Sequence, residues 1–190
     1  MPAVIAVMDS IGASDAVDNV LVELCGDPRM ADQAFRVARD RFTRRAPKGG
    51  ALLDAAREKA AVAAPNSEAL LDFGRYEALV GELADVNADP GAAEVTPEQT
   101  AKAIEASPSD PAVHITHALA LWRAGQAKEA TATFDDFTIF FNRLSPPLQT
   151  ALAAIVTAGG QPKAGAMMAR NINTKVLAPE ENALLQQATR

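Results

Sequence analysis

Apolar residues recur at intervals of three and four along most of the chain, and no segment alternates apolar and polar residues convincingly. The first spacing places apolar side chains on one face of a helix, whereas a half-buried strand needs a period of two. The pattern therefore predicts an all-α protein. The predicted helices cover residues 3–10, 15–25, 28–45, 51–64, 67–73, 75–86, 97–106, 111–124, 127–142, 146–158, 163–172 and 179–188.

Proline and glycine mark where these helices begin and end. Four prolines directly follow a residue that can cap a helix: Asp27-Pro28, Thr96-Pro97, Asp110-Pro111 and Ser145-Pro146. Proline suits the first helical position because the N–H that it lacks would have no helical partner there. Gln99 follows Thr96 at the spacing of a capping box. The helix ends are predicted at Gly26, Gly49-Gly50, Gly74, Gly91, Gly125 and Gly159-Gly160.

Four of the seven phenylalanines fall within eight residues, at Phe134, Phe137, Phe140 and Phe141. On a continuous helix over 127–142 they would cover a wide apolar arc. We therefore expect this helix at the centre of the C-terminal core.

A short echo organises the C-terminal half. Gly125-Gln126-Ala127-Lys128 recurs thirty-five residues later as Gly160-Gln161-Pro162-Lys163. Each copy lies between two apolar, alanine-rich stretches. A repeat of this length is typical of a pair of antiparallel helices that buries its apolar face against neighbouring pairs.

Residues 111–144 resemble a tetratricopeptide repeat. In that family small residues let two helices approach, a glycine makes the turn, and a large residue fills the remaining gap. The matching residues are Ala118, Leu121, Gly125, Ala130 and Phe134 in this unit, and Ala153, Val156, Gly160 and Gly165 in the next. The second unit departs from the family at Ala169, where a bulky residue is usual, and by one extra residue of spacing. Residues 70–78 look like a third, degenerate unit that turns at Gly74, and residues 179–188 look like a capping helix.

The resemblance implies a right-handed superhelical stack of antiparallel helix pairs, an α-solenoid. Residues 1–95 would form an N-terminal region of degenerate pairs. Residues 96–190 would hold the repeats and the capping helix, continuous with the first region. The implied function is non-catalytic binding of another protein.

In tetratricopeptide proteins the first helices of successive units line a concave groove for a peptide or partner helix. The corresponding residues are Ala112, Ile115, Leu119, Trp122 and Arg123 in one unit, and Thr150, Ala154 and Thr157 in the next. Such a groove would be mainly apolar, which suits an amphipathic helix or an apolar peptide. Trp122 either anchors that partner or fills the space between units.

Charge suggests an alternative surface. The chain has a net charge of −6, but residues 28–64 carry nine bases against four acids. The densest basic run contains Arg36, Arg39, Arg41, Arg44, Arg45 and Lys48. One interpretation is a solvated helix face on which Asp32 pairs with Arg36 and Asp40 with Arg44. The others are a patch for an acidic protein, including the acidic residues 65–111 of the same molecule, or for nucleic acid. The acidic chain as a whole argues against a protein devoted to nucleic acid.

Catalytic motifs are missing from the sequence, so we expect neither an enzyme nor a cofactor. Asp110, His114 and His117 share one helical face and could hold zinc with one site open. The resemblance instead places both histidines between helices, and Asp110 is expected to cap a helix, so we predict no metal. Cys25, the single cysteine, is expected to be an inert, packed thiol.

Location and partner are only weakly constrained. No stretch approaches the ~20 apolar residues that a membrane span needs. The apolar run Pro2 to Met8 lacks the preceding positive charge of a signal peptide. A cytoplasmic location is favoured over others, and the compartment stays open. The expected partner is an unidentified protein or peptide, or the remainder of a longer parent chain.

Overall fold

The computed structural model describes residues 12–45, 48–85, 94–135 and 139–189. Within these ranges it contains α-helices and short 3-10 helices and no strand, which confirms the all-α prediction there. The α-helices are α1 Ser14–Leu24, α2 Ala31–Phe42, α3 Lys48–Ala63, α4 Glu68–Ala84, α5 Pro97–Ala106, α6 Pro111–Arg123, α7 Ala127–Ala132, α8 Pro146–Ala158, α9 Pro162–Ala169 and α10 Pro179–Ala188. The 3-10 helices are Phe141–Arg143 and Thr174–Val176. The predicted helix 3–10 and Gly91 lie outside the described residues.

Two of the predicted caps form as expected. The Thr96 hydroxyl accepts a hydrogen bond from Gln99 N, and the Gln99 side chain accepts one from Thr96 N. Asp110 accepts from Ala112 N at 2.9 Å. Asp27 accepts from Arg29 N instead, and α2 begins four residues after it. Ser145 precedes α8 without a capping bond from its side chain.

The chain forms two compact units, Met1–Leu71 and Asp72–Arg190. The predicted boundary between residues 95 and 96 therefore lies inside the second unit, and α4 runs through the division. In the first unit α1, α2 and α3 pack against one another. Leu21, Phe35 and Phe42 fill the space between them with almost no exposed surface.

In the second unit α8 is the central helix, since it packs against α6, α7, α9 and α10. The unit's core includes Ile115, Leu119, Ile155 and Leu184, all fully buried. Helix α10 also bonds to α4. Tyr76 donates to the Glu181 carboxylate at 3.3 Å, and the Gln187 amide donates to Leu83 O at 2.8 Å.

The sequence echo is a repeated helix ending. Gly125 and Gly160 have positive φ values of 81° and 95°. The residue after each glycine donates a backbone hydrogen bond five residues back: Gln126 N to Leu121 O and Gln161 N to Val156 O. This is the long bond of a Schellman motif, which needs a left-handed residue at the glycine position. The same local sequence thus turns the chain twice, into α7 and into α9.

Helices α8 and α9 approach closely at Gly165. A Cβ atom added there would overlap the Thr157 hydroxyl oxygen and lie 2.7 Å from Ala153 O. At Gly159, an added Cβ would lie 2.6 Å from the Thr131 side chain of α7. Small residues at these two positions let the backbones come together.

The predicted turn at Gly74 is wrong, and with it the helix–turn–helix unit over residues 70–78. Helix α4 runs uninterrupted from Glu68 to Ala84. Its buried residues continue at helical spacing on both sides of the glycine: Ala69, Phe73, Tyr76, Leu79 and Val80. A glycine inside a helix costs about 1 kcal/mol, which such an extended buried face offsets.

The predicted helix 127–142 is also wrong, because α7 ends at Ala132. Phe134 and Phe141 are only partly buried, Phe140 is 61% exposed, and Phe137 lies outside the described residues. The hydroxyls of Thr131 and Thr133 bond back to carbonyls of α7, an arrangement that competes with regular helix. The three phenylalanines of this cluster that the structure describes therefore do not form the centre of the C-terminal core.

Candidate functional site

The groove inferred from the resemblance is largely interior. Ile115, Leu119 and Thr150 have no exposed surface, and Ala112 and Ala154 are only 2% exposed. Helices α6 and α8 pack directly against each other, so these side chains belong to the core between helices. They do not form the open binding surface that we expected from the sequence.

Arg123 was placed at the edge of that groove, and it too is buried, with 7% exposure. Its Nε donates to the Glu82 carboxylate at 2.7 Å, and Glu82 also accepts from Glu94 N. This ion pair joins α6 to α4. Removing one member of a buried pair costs roughly 3–5 kcal/mol, so Arg123 is part of the fold's framework.

Trp122 and Thr157 retain partial exposure. The Thr157 hydroxyl donates to Ala188 O at 3.4 Å, which ties α8 to α10. Trp122 is the one large apolar member of the predicted groove that still reaches the surface.

The histidines of α6 are engaged separately. His114 Nε2 lies 2.8 Å from Pro108 O, and His117 Nδ1 lies 2.9 Å from the Thr100 hydroxyl. Asp110 caps the helix. No cluster of three potential metal ligands occurs among the residues described. Burial lowers the pKa of His117, and the nearby His114 lowers it further, while a backbone interaction at Pro97 opposes them.

Cys25 is fully buried, and this desolvation raises the pKa of its thiol to about 11. A thiol with so high a pKa is almost entirely protonated near neutral pH and is a poor nucleophile.

The basic run is engaged in ion pairs within the first unit. The predicted pairs form along α2 and the turn that follows it: Arg36 with Asp32 at 3.0 Å and Arg44 with Asp40 at 2.8 Å. Three further members pair with acids of α1: Arg41 and Arg45 with Asp18, and Lys48 with Asp15. Arg39 is buried.

Asp18 is the focus of that ionic cluster, with 1% exposure. Arg41 Nε donates to one of its oxygens at 2.6 Å, and Arg45 donates to the other. The same molecule therefore supplies carboxylates that a partner's anionic groups would have to replace.

A cleft of about 500 Å³ lies between α7, α8 and α9, and we call it the α7–α9 cleft. Its apolar lining consists of Ala132, Phe134, Ile139, Leu152, Val156 and Met168, and its polar lining of Lys128, Thr131, Asp135 and Gln161. The two Schellman turns position these residues, because each directs a short helix back along its predecessor. Because α7 ends before Phe134, this residue does not lie in a regular helix.

Among the described residues that line this cleft, one is basic and one is acidic. Lys128 and Asp135 are both exposed, and neither forms an ion pair or side-chain hydrogen bond within the part of the chain that the structure describes. Met168 faces the cleft, whereas its neighbour Met167 is 68% exposed and does not line it.

Sequence reasoning did not predict this cleft, although it singled out several of its residues. Phe134 and Val156 were matched to the repeat pattern, and Lys128 and Gln161 belong to the echo. A continuous helix over 127–142 would have placed Phe134 and Ile139 differently. The missing information was where α7 ends.

Comparison with known proteins yields no match to any family model, characterised protein or solved structure. Among the described helices, none is both long and apolar enough to cross a membrane.

Proposed function

We propose that this chain is a non-catalytic interaction module that binds a peptide or partner helix in the α7–α9 cleft. The observation that carries the proposal is an open cleft between α7, α8 and α9, lined by both apolar and polar side chains. Its volume falls within the range typical of ligand sites, roughly 300–1,000 Å³.

We further propose that the helix pairs of the second unit are tetratricopeptide-like and stack as a right-handed α-solenoid. The repeated Schellman turns support this idea, as does the close approach of α8 and α9 at Gly165. In this view α10 covers the last pair.

The apolar part of the lining supports an apolar ligand group. Phe134 and Met168 are both only partly buried, so each has surface left to cover. An aromatic ring and a flexible thioether adapt well to a bulky side chain. A leucine, methionine or phenylalanine presented by a peptide fits this setting.

The alternative function, binding of nucleic acid or an acidic partner through residues 36–48, has less support. Asp18 and Asp15 already pair with Arg41, Arg45 and Lys48. A polyanion would have to displace these carboxylates, and the Asp18 pairs are buried. Retention on heparin, with a steep loss of binding on added salt, would revive this alternative.

The proposed function is tested by panning a phage library of random dodecapeptides against three proteins. These are the wild type and the variants Met168→Glu, inside the cleft, and Met167→Glu, the adjacent exposed position. We expect sequences with a bulky apolar residue to be enriched by the wild type and by Met167→Glu and lost with Met168→Glu. Circular dichroism confirms that both variants fold.

Two outcomes would overturn the proposal. One is a library without enriched sequences on the wild type. The other is enrichment that persists unchanged on a folded Met168→Glu variant, which would place the binding surface elsewhere.

A further inference from the structure

We propose that mild acid releases α5 from α6, through protonation of the two histidines of α6 that hold α5 in place. His114 and His117 are the only histidines of the chain. Neither α5 nor α6 contributes to the lining of the α7–α9 cleft, so this regulatory device is independent of the proposed function.

Helix α5 is held in place by few buried groups. Of its ten residues, only Thr100 and Ala103 are buried. Its main packing partner among the described elements is α6, which itself buries nine residues. Elements with few buried apolar groups open locally at a small cost in free energy. Individual hydrogen bonds therefore contribute a large share of what keeps α5 docked.

Both histidines form bonds across this contact. His117 Nδ1 lies 2.9 Å from the Thr100 hydroxyl of α5. His114 Nε2 lies 2.8 Å from Pro108 O, in the turn that joins α5 to α6. The two histidines are three residues apart on α6, so they lie on the same face of that helix. Together they fix α5 and the turn after it to α6.

The bonding partners assign the proton of each neutral imidazole. A carbonyl oxygen can only accept, so His114 carries its proton on Nε2. The Thr100 hydroxyl donates its single proton to Pro97 O at 3.0 Å, so it accepts from His117 and places that proton on Nδ1. A second proton must therefore enter at Nδ1 of His114 or at Nε2 of His117. Either addition creates a positive charge on a residue of the α5–α6 contact.

The docked state opposes that charge. His114 is buried and His117 is half-buried. Burial lowers the pKa of His117 and the nearby His114 lowers it further, while a backbone interaction at Pro97 opposes them. When α5 leaves, water reaches His117 and its pKa returns toward the ordinary value of about 6.5. The free energy of docking is therefore fully present above about pH 6.5 and is lost as the pH falls through the docked-state pKa.

The other charged groups of the helices around this contact are paired, engaged in a cap or exposed. Arg123 of α6 pairs with Glu82 of α4, and Asp110 caps α6. Helix α8, which packs against α6, carries no charged residue. The remaining charges are exposed, and they are Glu98, Lys102 and Glu105 on α5 and Lys128 and Glu129 on α7. Unperturbed carboxyl, ammonium and guanidinium groups do not titrate between pH 5.5 and 7.5, so the histidines are the groups of this contact that respond there.

The test is hydrogen exchange measured by mass spectrometry on the protein without a histidine tag. The pH values are 7.5, 6.5 and 5.5, and labelling times are scaled for intrinsic exchange. We expect the amides of α5 to be less protected than those of α8 at every pH, because α5 opens by itself. Their protection should fall about three- to tenfold between pH 7.5 and 5.5, since one histidine changes the docking equilibrium by at most about tenfold per pH unit.

His117→Gln assigns the effect, because glutamine can still donate to Thr100 and carries no charge in acid. We expect the loss of α5 protection at pH 5.5 to shrink to under about twofold in this variant. Lys102→Gln is the matched control. It removes an exposed charge from α5 and should keep the wild-type pH dependence.

A titration of the wild type keeps the proposal testable if His117→Gln does not fold. The two histidine rings give two sets of proton NMR signals, and we expect the His117 ring to titrate below pH 6.5, over the range in which α5 loses protection. A His117 ring that titrates at or above pH 6.5 would overturn the proposal. So would α5 protection that equals that of α8, that does not change with pH, or that keeps its full pH dependence in a folded His117→Gln variant.

Discussion

The two units hold their helices together by different means. In the first unit α1 contributes apolar Val17 and Leu21 to the core, and ion pairs from Asp15, Asp18 and Glu23 reach α2 and α3 or their connection. In the second unit α7, α8 and α9 come together through glycines at 159 and 165. Ion pairs are therefore prominent around α1 in the first unit, and small side chains are prominent among α7, α8 and α9 in the second.

The difference bears on the proposed function, because the two units differ in how many of their charged side chains are already paired within the unit. In the first unit several charged side chains form ion pairs with one another, and Asp18 alone pairs with two arginines. In the second unit close backbone contact brings three helices together, and the α7–α9 cleft opens between them with unpaired charges at its rim. Under the proposed function, this cleft is the surface that a partner would contact.

The largest expected effect comes from Asp18→Asn, which removes the charge between Arg41 and Arg45. We expect a loss of about 3 kcal/mol in the free energy of unfolding, near the lower end for a buried ion pair, because Arg45 is partly solvated. Urea denaturation measures the loss, and hydrogen exchange should show it in α1 to α3. Asp40→Asn is the matched control, since its pair with Arg44 is exposed and should be worth under about 1 kcal/mol. Equal effects of the two variants would contradict the importance of charge in this unit.

Gly165→Ala should have the next largest effect. The added methyl group must displace the Thr157 hydroxyl and crowd Ala153 O, which we expect to cost about 2 kcal/mol despite the better helix propensity of alanine. Denaturant unfolding measures the change, and added salt should not alter it. A neutral or stabilising Gly165→Ala variant would show that α8 and α9 are less close than described.

Gly74→Ala is expected to act in the opposite direction. The position lies inside α4, and an added Cβ meets no atom within 4 Å. Replacing a mid-helix glycine with alanine should stabilise the protein by about 0.5–1 kcal/mol. A rise in Tm checks this result, whereas destabilisation would favour the turn predicted from the sequence.

Mild acidification should produce the smallest effect, and it should act through His117. Burial lowers the pKa of this histidine in the folded state below its ordinary value of about 6.5. The unfolded chain therefore takes up the proton first as the pH falls. The stability contribution is present above pH 6.5 and is lost as the pH falls through the folded-state pKa.

Urea midpoints at pH 7.5 and 5.5 measure this dependence. His117→Gln should reduce the difference between the two midpoints relative to the wild type. An unchanged difference would assign the pH dependence to other groups. Glu181 is one of them, since burial raises its pKa and makes its contribution fall as the pH rises.

Local sequence alone determined the elements that depend on local rules. The Thr96 capping box, the Asp110 cap and the starts of α6 and α8 follow from proline and polar residues within one turn. The two Schellman turns follow from a glycine that can adopt positive φ. These features involve bonds among neighbouring residues, so a short window contains their causes.

Tertiary structure decided which helices continue, which faces are buried and where charges pair. Gly74 stays helical because buried residues flank it, and Ile115 and Leu119 are interior because α6 packs against α8. Asp18 meets Arg41 and Arg45 across more than twenty residues of chain. The α7–α9 cleft likewise exists only once three helices meet. Periodicity shows that a helix has an apolar face, but it does not show which element covers that face or what space is left open.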